Sequence, residues 1–141
     1  MTNSSPKSAR RLRVSDPVIL DSSAVLAVLF NEPGGNIVTD RLGEALISTV
    51  NLSEAVAKLV ERGAEIEFAR ALLDDFDAER VAFTDEDAYV SGGLRNLTKP
   101  FGLSFGDRAC LSLAMQRRCP VLTADRAFSK LDIDIEIEMI R

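Results

Sequence analysis

Pro17-Val18-Ile19-Leu20 is a short, unbroken apolar run that stops at Asp21, the pattern of a strand buried on both faces. Ala24 to Phe30 follows as a helix, with Ser22 or Ser23 available to cap it, and Asn31-Glu32-Pro33-Gly34-Gly35 ends it. Asn36 to Leu42 reads as a second short helix, and Ala45-Leu46-Ile47-Ser48-Thr49 as a second apolar strand. From Leu52, apolar residues at 52, 55, 56, 59 and 60 keep helical spacing up to Gly63. Ala64 to about Asp77 predicts another amphipathic helix, with Ile66, Ala69, Leu72, Leu73 and Phe76 on one side. Val81-Ala82-Phe83 is a minimal strand, and Thr84 opens a helix whose first turn holds Asp85, Glu86 and Asp87. A further helix runs from Leu103-Ser104-Phe105-Gly106-Asp107 to about Arg118. Pro120-Val121-Leu122-Thr123 forms a strand ending near Asp125. Ile133, Ile135, Ile137 and Met139 alternate with acids, as in a half-exposed edge strand.

Strands alternating with helices predict an α/β fold: a central parallel sheet of about five short strands with helices on both faces. At 141 residues, without an internal repeat or interior linker, the chain suits one domain over residues 15–141. Residues 1–14 carry Lys7, Arg10, Arg11 and Arg13 with no acid and read as a flexible basic tail. Without those four, 13 basic residues face 22 acidic ones, and the domain carries −9. Such a field does not attract phosphate backbones, so any contact with nucleic acid requires a local basic rim or metal ions.

The chain contains no histidine, which excludes Ser-His-Asp and Cys-His sites, histidine acid–base ribonuclease chemistry and imidazole-bound zinc. Cys110 and Cys119, nine positions apart, fit neither a redox pair nor a metal knuckle and read as reduced core thiols. The longest strictly apolar run, Ala24 to Phe30, is too short to span a bilayer, and the N-terminus lacks the apolar stretch of a signal peptide. A cytoplasmic location is the expectation.

In open α/β sheets, sites form beyond the carboxyl ends of the strands. Asp21 ends the first strand, Glu54 falls in the first turn of the helix after the second, Asp107 opens its helix, and Asp125 follows the strand at 120–123. Each alone has a structural explanation. Asp21 can cap a helix, Asn51-x-x-Glu54 and Ser104-x-x-Asp107 resemble capping boxes, Glu54 can pair with Lys58 one turn on, and Asp125 can be a turn residue. Asp107, however, shares the apolar stripe of Cys110, Leu111 and Ala114, which points it inward. Together, the four carboxylates repel unless a cation neutralises them, and oxygen donors alone select Mg²⁺ or Mn²⁺. Such a site suits phosphoryl chemistry.

At these residues the chain resembles a known family. Val18-Ile19-Leu20-Asp21-Ser22-Ser23-Ala24, Ser53-Glu54, Gly102-Leu103-Ser104-Phe105-Gly106-Asp107-Arg108-Ala109-Cys110-Leu111 and Leu122-Thr123-Ala124-Asp125-Arg126-Ala127-Phe128 are similar to segments of the PIN-domain ribonucleases, closest to VapC toxins of bacterial toxin–antitoxin pairs. The likeness spans about residues 17–141. It implies a PIN-like fold and a metal-dependent endoribonuclease leaving a 5′-phosphate and a 3′-hydroxyl. Asp21, Glu54, Asp107 and Asp125 would bind one or two Mg²⁺ or Mn²⁺ ions, with Ser23 and Thr123 orienting carboxylates or bound water. It further implies a homodimer and a VapB-type antitoxin that lays a C-terminal segment across the toxin groove, to which surplus apolar surface on residues 24–30 and 55–60 could contribute. The N-terminal extension departs from the family pattern.

Arg108 and Arg126 each follow one of these acids and are candidates for RNA phosphate contacts. Arg95 and Lys99 read as solvated, and Tyr89 as a packing residue rather than a base-stacking platform. Two other functions compete: an acid-cluster phosphatase, against which residues 21–25 lack a second aspartate two positions on, and a non-catalytic PIN-like binding module. Repulsion within the cluster makes a direct prediction. Without metal, Asp107→Asn should melt at or above the wild-type temperature, and added Mn²⁺ should raise wild type more than the variant.

Overall fold

The computed structural model describes residues 16–141, and the basic segment 1–14 lies outside the described residues. Five short strands, β1 (Val18–Leu20), β2 (Ala45–Ser48), β3 (Glu79–Val81), β4 (Val121–Thr123) and β5 (Ile137–Met139), form one all-parallel sheet in the order β3-β2-β1-β4-β5. β1 is central: Val18 pairs with Ala45 on one side, and Ile19 with Val121 on the other. Its three side chains are fully buried, as a strand covered on both faces requires.

Successive residues of β1 feed opposite cores. Val18 and Leu20 join α1 (Ser22–Leu29), α2 (Gly35–Thr39), α3 (Thr49–Glu61) and α4 (Ile66–Asp74) through Ala24, Val25, Val38, Ala55, Leu59, Ala69 and Leu73. Ile19 joins Leu46, Val121 and Phe128 beneath α5 (Asp85–Gly93), α6 (Arg95–Thr98) and α7 (Phe105–Arg117), with Leu94, Cys110, Leu111 and Ala114 from that layer. Gly34 and Gly35 join α1 to α2 at close range. A Cβ at Gly34, where φ is +91°, would overlap the Ile140 carbonyl, and one at Gly35 would meet the Ala27 carbonyl.

Several local expectations shift. Asp21, not Ser22 or Ser23, caps the first helix, which starts at Ser22. The third helix begins at Thr49, capped by Ser48, because the Ser48 hydroxyl reaches the Val50 N–H at 3.2 Å. Glu54 therefore lies in the second turn, and Asn51 is inside the helix rather than its cap. β3 starts two residues before the apolar trio expected to form it and shares only Val81 with it. Glu79 and Arg80 tolerate an exposed edge, while the Phe83 N–H leaves the ladder for the Thr49 hydroxyl at 3.1 Å. β5 is shorter than its alternating pattern because β4 offers only three residues to pair with. Ile66 is half-exposed, since α4 buries only the seam of Ala69 and Leu73. The short helix α6 had no clear sequence signal.

Tyr89 overturns its packing assignment, being 81% exposed. α5 turns Asp87 and Ser91, four residues apart, toward the protein, and Tyr89 falls midway between them on the outer side. Asp87 closes a capping box with Thr84 and accepts hydrogen bonds from the Ser112 hydroxyl at 2.8 Å and from Gln116 on α7. Burial alone would raise its pKa, but the bonds from Thr84, Ser112 and Gln116 outweigh that and hold it below the usual 3.8. The ionised carboxylate thus contributes stability above that range and loses it in acid. Asp87→Ala should cost about 2–4 kcal/mol at pH 7 in denaturant unfolding. The deficit should shrink as pH falls below 4, and a pH-independent deficit would mean that the charge plays no part.

Candidate active site

The strand order reverses direction beside β1, and the sheet edge beyond the carboxyl ends of β1 and β4 gathers the chemistry. Asp21, 3% exposed, is the first residue past β1. Its Oδ1 accepts from the Ala24 N–H at 3.0 Å and the Ser23 hydroxyl at 2.7 Å, while Oδ2 accepts from the Thr123 hydroxyl at 2.5 Å. Thr123, the buried last residue of β4, in turn accepts from the Asp125 N–H at 2.9 Å. Ser23 accepts from the Ala124 N–H at 2.9 Å. Both hydroxyl groups therefore bind Asp21 to the segment carrying Asp125, across the junction of the two strands.

The other acids are tethered in the same manner. Asp107, the third residue of α7, closes the capping box of Ser104 through Oδ2, which accepts from the Ser104 N–H at 2.8 Å. Asp125 caps the 3₁₀ turn Arg126–Lys130 through Oδ1, which accepts from the Ala127 N–H at 3.0 Å. Glu54 accepts from Asn51 Nδ2 at 3.0 Å. Capping thus does not use up these carboxylates. Each carboxylate has one oxygen anchored, and among the described residues Asp107, Asp125 and Glu54 each keep a second oxygen with no donor. An asparagine at 107 retains the capping oxygen, so removal of its charge need not remove the cap.

The four charges share one field. Burial pushes Asp21 up to about 6 despite the bonds from Thr123, Ser23 and Ala24, and the Asp107 charge adds to the rise. Burial also raises Asp107 against the bonds from Ser104, with the charges of Asp125 and Glu54 acting in the same direction. Cys110 lies one turn beyond Asp107. Its thiol is held well above its ordinary value by burial and by the charges of Asp21, Asp107 and Glu54, so it packs as a neutral group.

No Lys or Arg forms an ion pair with any of the four among the described residues. Lys58, expected to pair with Glu54, meets Glu61 at 3.3 Å instead. Arg126 is exposed at the start of its turn. Arg108 is half-buried with its guanidinium 5.9 Å from the centre of the Phe105 ring, and its Nε is buried without a partner. Arg95 and Lys99 are exposed, as expected. The donor set is therefore hard oxygen only, with uncompensated charge and free carboxylate oxygens, which suits a divalent cation such as Mg²⁺ or Mn²⁺. Among the described residues, no three acids reach ligating distance of one point in this side-chain arrangement. Asn51, which sequence reasoning treated as a helix cap, is the site neighbour it missed.

Residues 18–134 match the PIN domain model, and the chain belongs to the PIN-domain family. No curated protein matches it in sequence. Its fold is similar to that of the DNA-bound VapBC from Salmonella typhimurium, at 20% identity over 89% of this chain and 99% of that one, with a TM-score of 0.71. It is also similar to VapC20 of Mycobacterium tuberculosis, described as a toxin that cleaves the sarcin–ricin loop: 12% identity over 84% and 98%, TM-score 0.66. VapBC-5 from the same organism shares 26% identity over 90% and 98%, with a TM-score of 0.59. The resemblance to VapC-type members of the family is thus met by the solved structures. No helix among the described residues is long and apolar enough to cross a membrane.

The raised Asp21 sets a pH dependence. Between 3.8 and about 6 the folded state holds a proton that the unfolded chain releases, so this residue's contribution to stability falls as pH rises through that window. In EDTA, Asp21→Asn should gain on wild type by about 3 kcal/mol between pH 4 and pH 7, measured by denaturant unfolding. Parallel stability curves would show that burial does not strain the carboxylate.

Proposed function

We propose that this chain is the toxin nuclease of a toxin–antitoxin pair, a metal-dependent endoribonuclease that hydrolyses RNA phosphodiester bonds. The observation that carries the reading is the cluster of Asp21, Glu54, Asp107 and Asp125, drawn from four segments to one sheet edge and, among the described residues, left without a cationic partner. The RNA-cleaving relative and the toxin–antitoxin complexes of similar fold support the substrate and the class of partner.

Asp21, Asp107, Asp125 and Glu54 would hold Mg²⁺ or Mn²⁺. Bound there, the ion would supply a water of lowered pKa and neutralise charge on the phosphate. The protein's own part is positioning. Thr123 and Ser23 fix both oxygens of Asp21, which holds its buried carboxylate at the junction of β1 and β4. The capping bonds of Asp107 and Asp125 orient those groups while leaving an oxygen of each to face a ligand. Arg108 and Arg126, neither of them in an ion pair among the described residues, would contact flanking phosphates and offset the acidic field of the domain. A VapB-type antitoxin is the proposed protein partner, with self-association as a dimer, in the cytoplasm.

Purified antitoxin-free protein should cut total RNA into discrete fragments with Mg²⁺ or Mn²⁺ and not in EDTA. Asp21→Asn should lower that rate at least about 100-fold, more than loss of a residue that merely orients a ligand. Cleavage that survives in Asp21→Asn would trace to a contaminant. Intact RNA with wild-type protein, together with tight retention of a copurifying partner by Asp21→Asn, would favour a binding module.

A further inference from the structure

Asn51 is fully buried in the third position of α3, where a carboxamide is a poor helix former and an alanine would serve better. Its Nδ2 lies 3.0 Å from Glu54 Oε1 and 3.0 Å from the Gly106 carbonyl oxygen on α7. The two hydrogens of one amide group thus go to two different helices. Reversing the amide would set its oxygen against two acceptors, so the orientation is forced by chemistry. Oδ1 consequently meets no donor among the described residues, an arrangement unfavourable to folding.

Gly106 completes the junction. A Cβ at this position would overlap the Glu54 carboxylate, so the acid lies directly against the backbone of α7, one residue before Asp107. Its neighbours in the fold are helices α3 and α7, which pack against one another.

We infer that Asn51 is a positioning residue for Glu54: its carboxamide clamps the Glu54 carboxylate to the Gly106 backbone, setting the second acid at a defined place beside Asp107. The inference rests on the reading of the four acids as a cation site. Asn51 itself is not a ligand. Its effect on a bound ion passes through Glu54 alone, and Gly106 serves the same end by leaving space for the carboxylate. The buried cost of the unpaired Oδ1 is accepted for the sake of that geometry.

Calorimetric titration of the full chain with Mn²⁺ tests this, using wild type, Asn51→Ala, Gly106→Ala, Glu54→Ala and the Asn51→Ala/Glu54→Ala double variant, each checked for fold by circular dichroism. Wild type should bind, and Asn51→Ala should bind Mn²⁺ about 10-fold more weakly or worse, the usual effect of losing a group that orients a ligand. Gly106→Ala should weaken binding similarly. Because it leaves the Asn51 core contacts in place and favours the helix, it keeps the test open should Asn51→Ala fail to fold. In the Glu54→Ala background, Asn51→Ala should add nothing further. Wild-type affinity in either folded single variant would overturn the proposal, as would an equal loss in both backgrounds, which marks a residue that only supports the fold. A wild-type protein that binds no Mn²⁺ would overturn the cation site itself, a result distinct from binding that the variants leave unchanged.

Discussion

The hydrogen bond from the Thr123 hydroxyl to Asp21 joins the ends of the two central strands, and much of the site's arrangement follows from it. A carboxylate with almost no exposure is costly to ionise in any protein interior. Here the cost is partly met by donors from both sides of the junction: the helix start at Ser23 and Ala24, and the β4 end at Thr123. Those donors do not cancel the effect of burial, and the carboxyl remains raised to about 6. The residual strain is electrostatic, and a cation would relieve it. Thr123 also accepts from the Asp125 N–H, so one hydroxyl aligns two acids from different parts of the chain.

Helix starts explain how the remaining charge is tolerated. The N-termini of α1, α7 and the 3₁₀ turn at Arg126 each hold one of the acids, Asp21 and Asp125 as caps and Asp107 in the capping box of Ser104. Their unpaired N–H groups and partial positive charge favour carboxylates at that end. A parallel sheet directs the helix starts on both faces toward the carboxyl edge, which is why α/β folds gather anionic side chains and ligands there. The same groups therefore stabilise the helices and build the site. Removing an acid's charge and removing its capping oxygen are different perturbations, and asparagine separates them from alanine.

Much of the fold was legible because its signals were local. Three consecutive apolar residues before Asp21 and before Thr123 announced strands buried on both faces, and the Ser104–Asp107 capping box marked the start of α7. Legibility failed where a partner elsewhere decided the outcome. Glu79 and Arg80 form a strand because β2 needs a neighbour at the edge, not because they are apolar. Glu54 and Lys58 have the spacing of a pair, yet Asn51 and the Gly106 backbone hold the glutamate instead. Tyr89 reads as a packing aromatic until α5 docks through Asp87 and Ser91 and turns it outward.

The sequence by itself determined which chemistry was available: no imidazole, two cysteines with neither redox-pair nor metal-knuckle spacing, and acids placed at strand ends and helix starts. It also determined the parallel α/β class, since apolar strand runs and amphipathic helices follow one another along the chain. Only the tertiary structure decided that the ends of β1 and β4 meet, that Asp107 shares a field with Asp21 and Asp125, and that Glu54 lies against the backbone of α7. The Glu54–Gly106 and Asp21–Thr123 contacts join residues 52 and 102 positions apart. Capping and periodicity act within one or two helical turns, whereas a shared electrostatic field exists only after the sheet has brought those segments together.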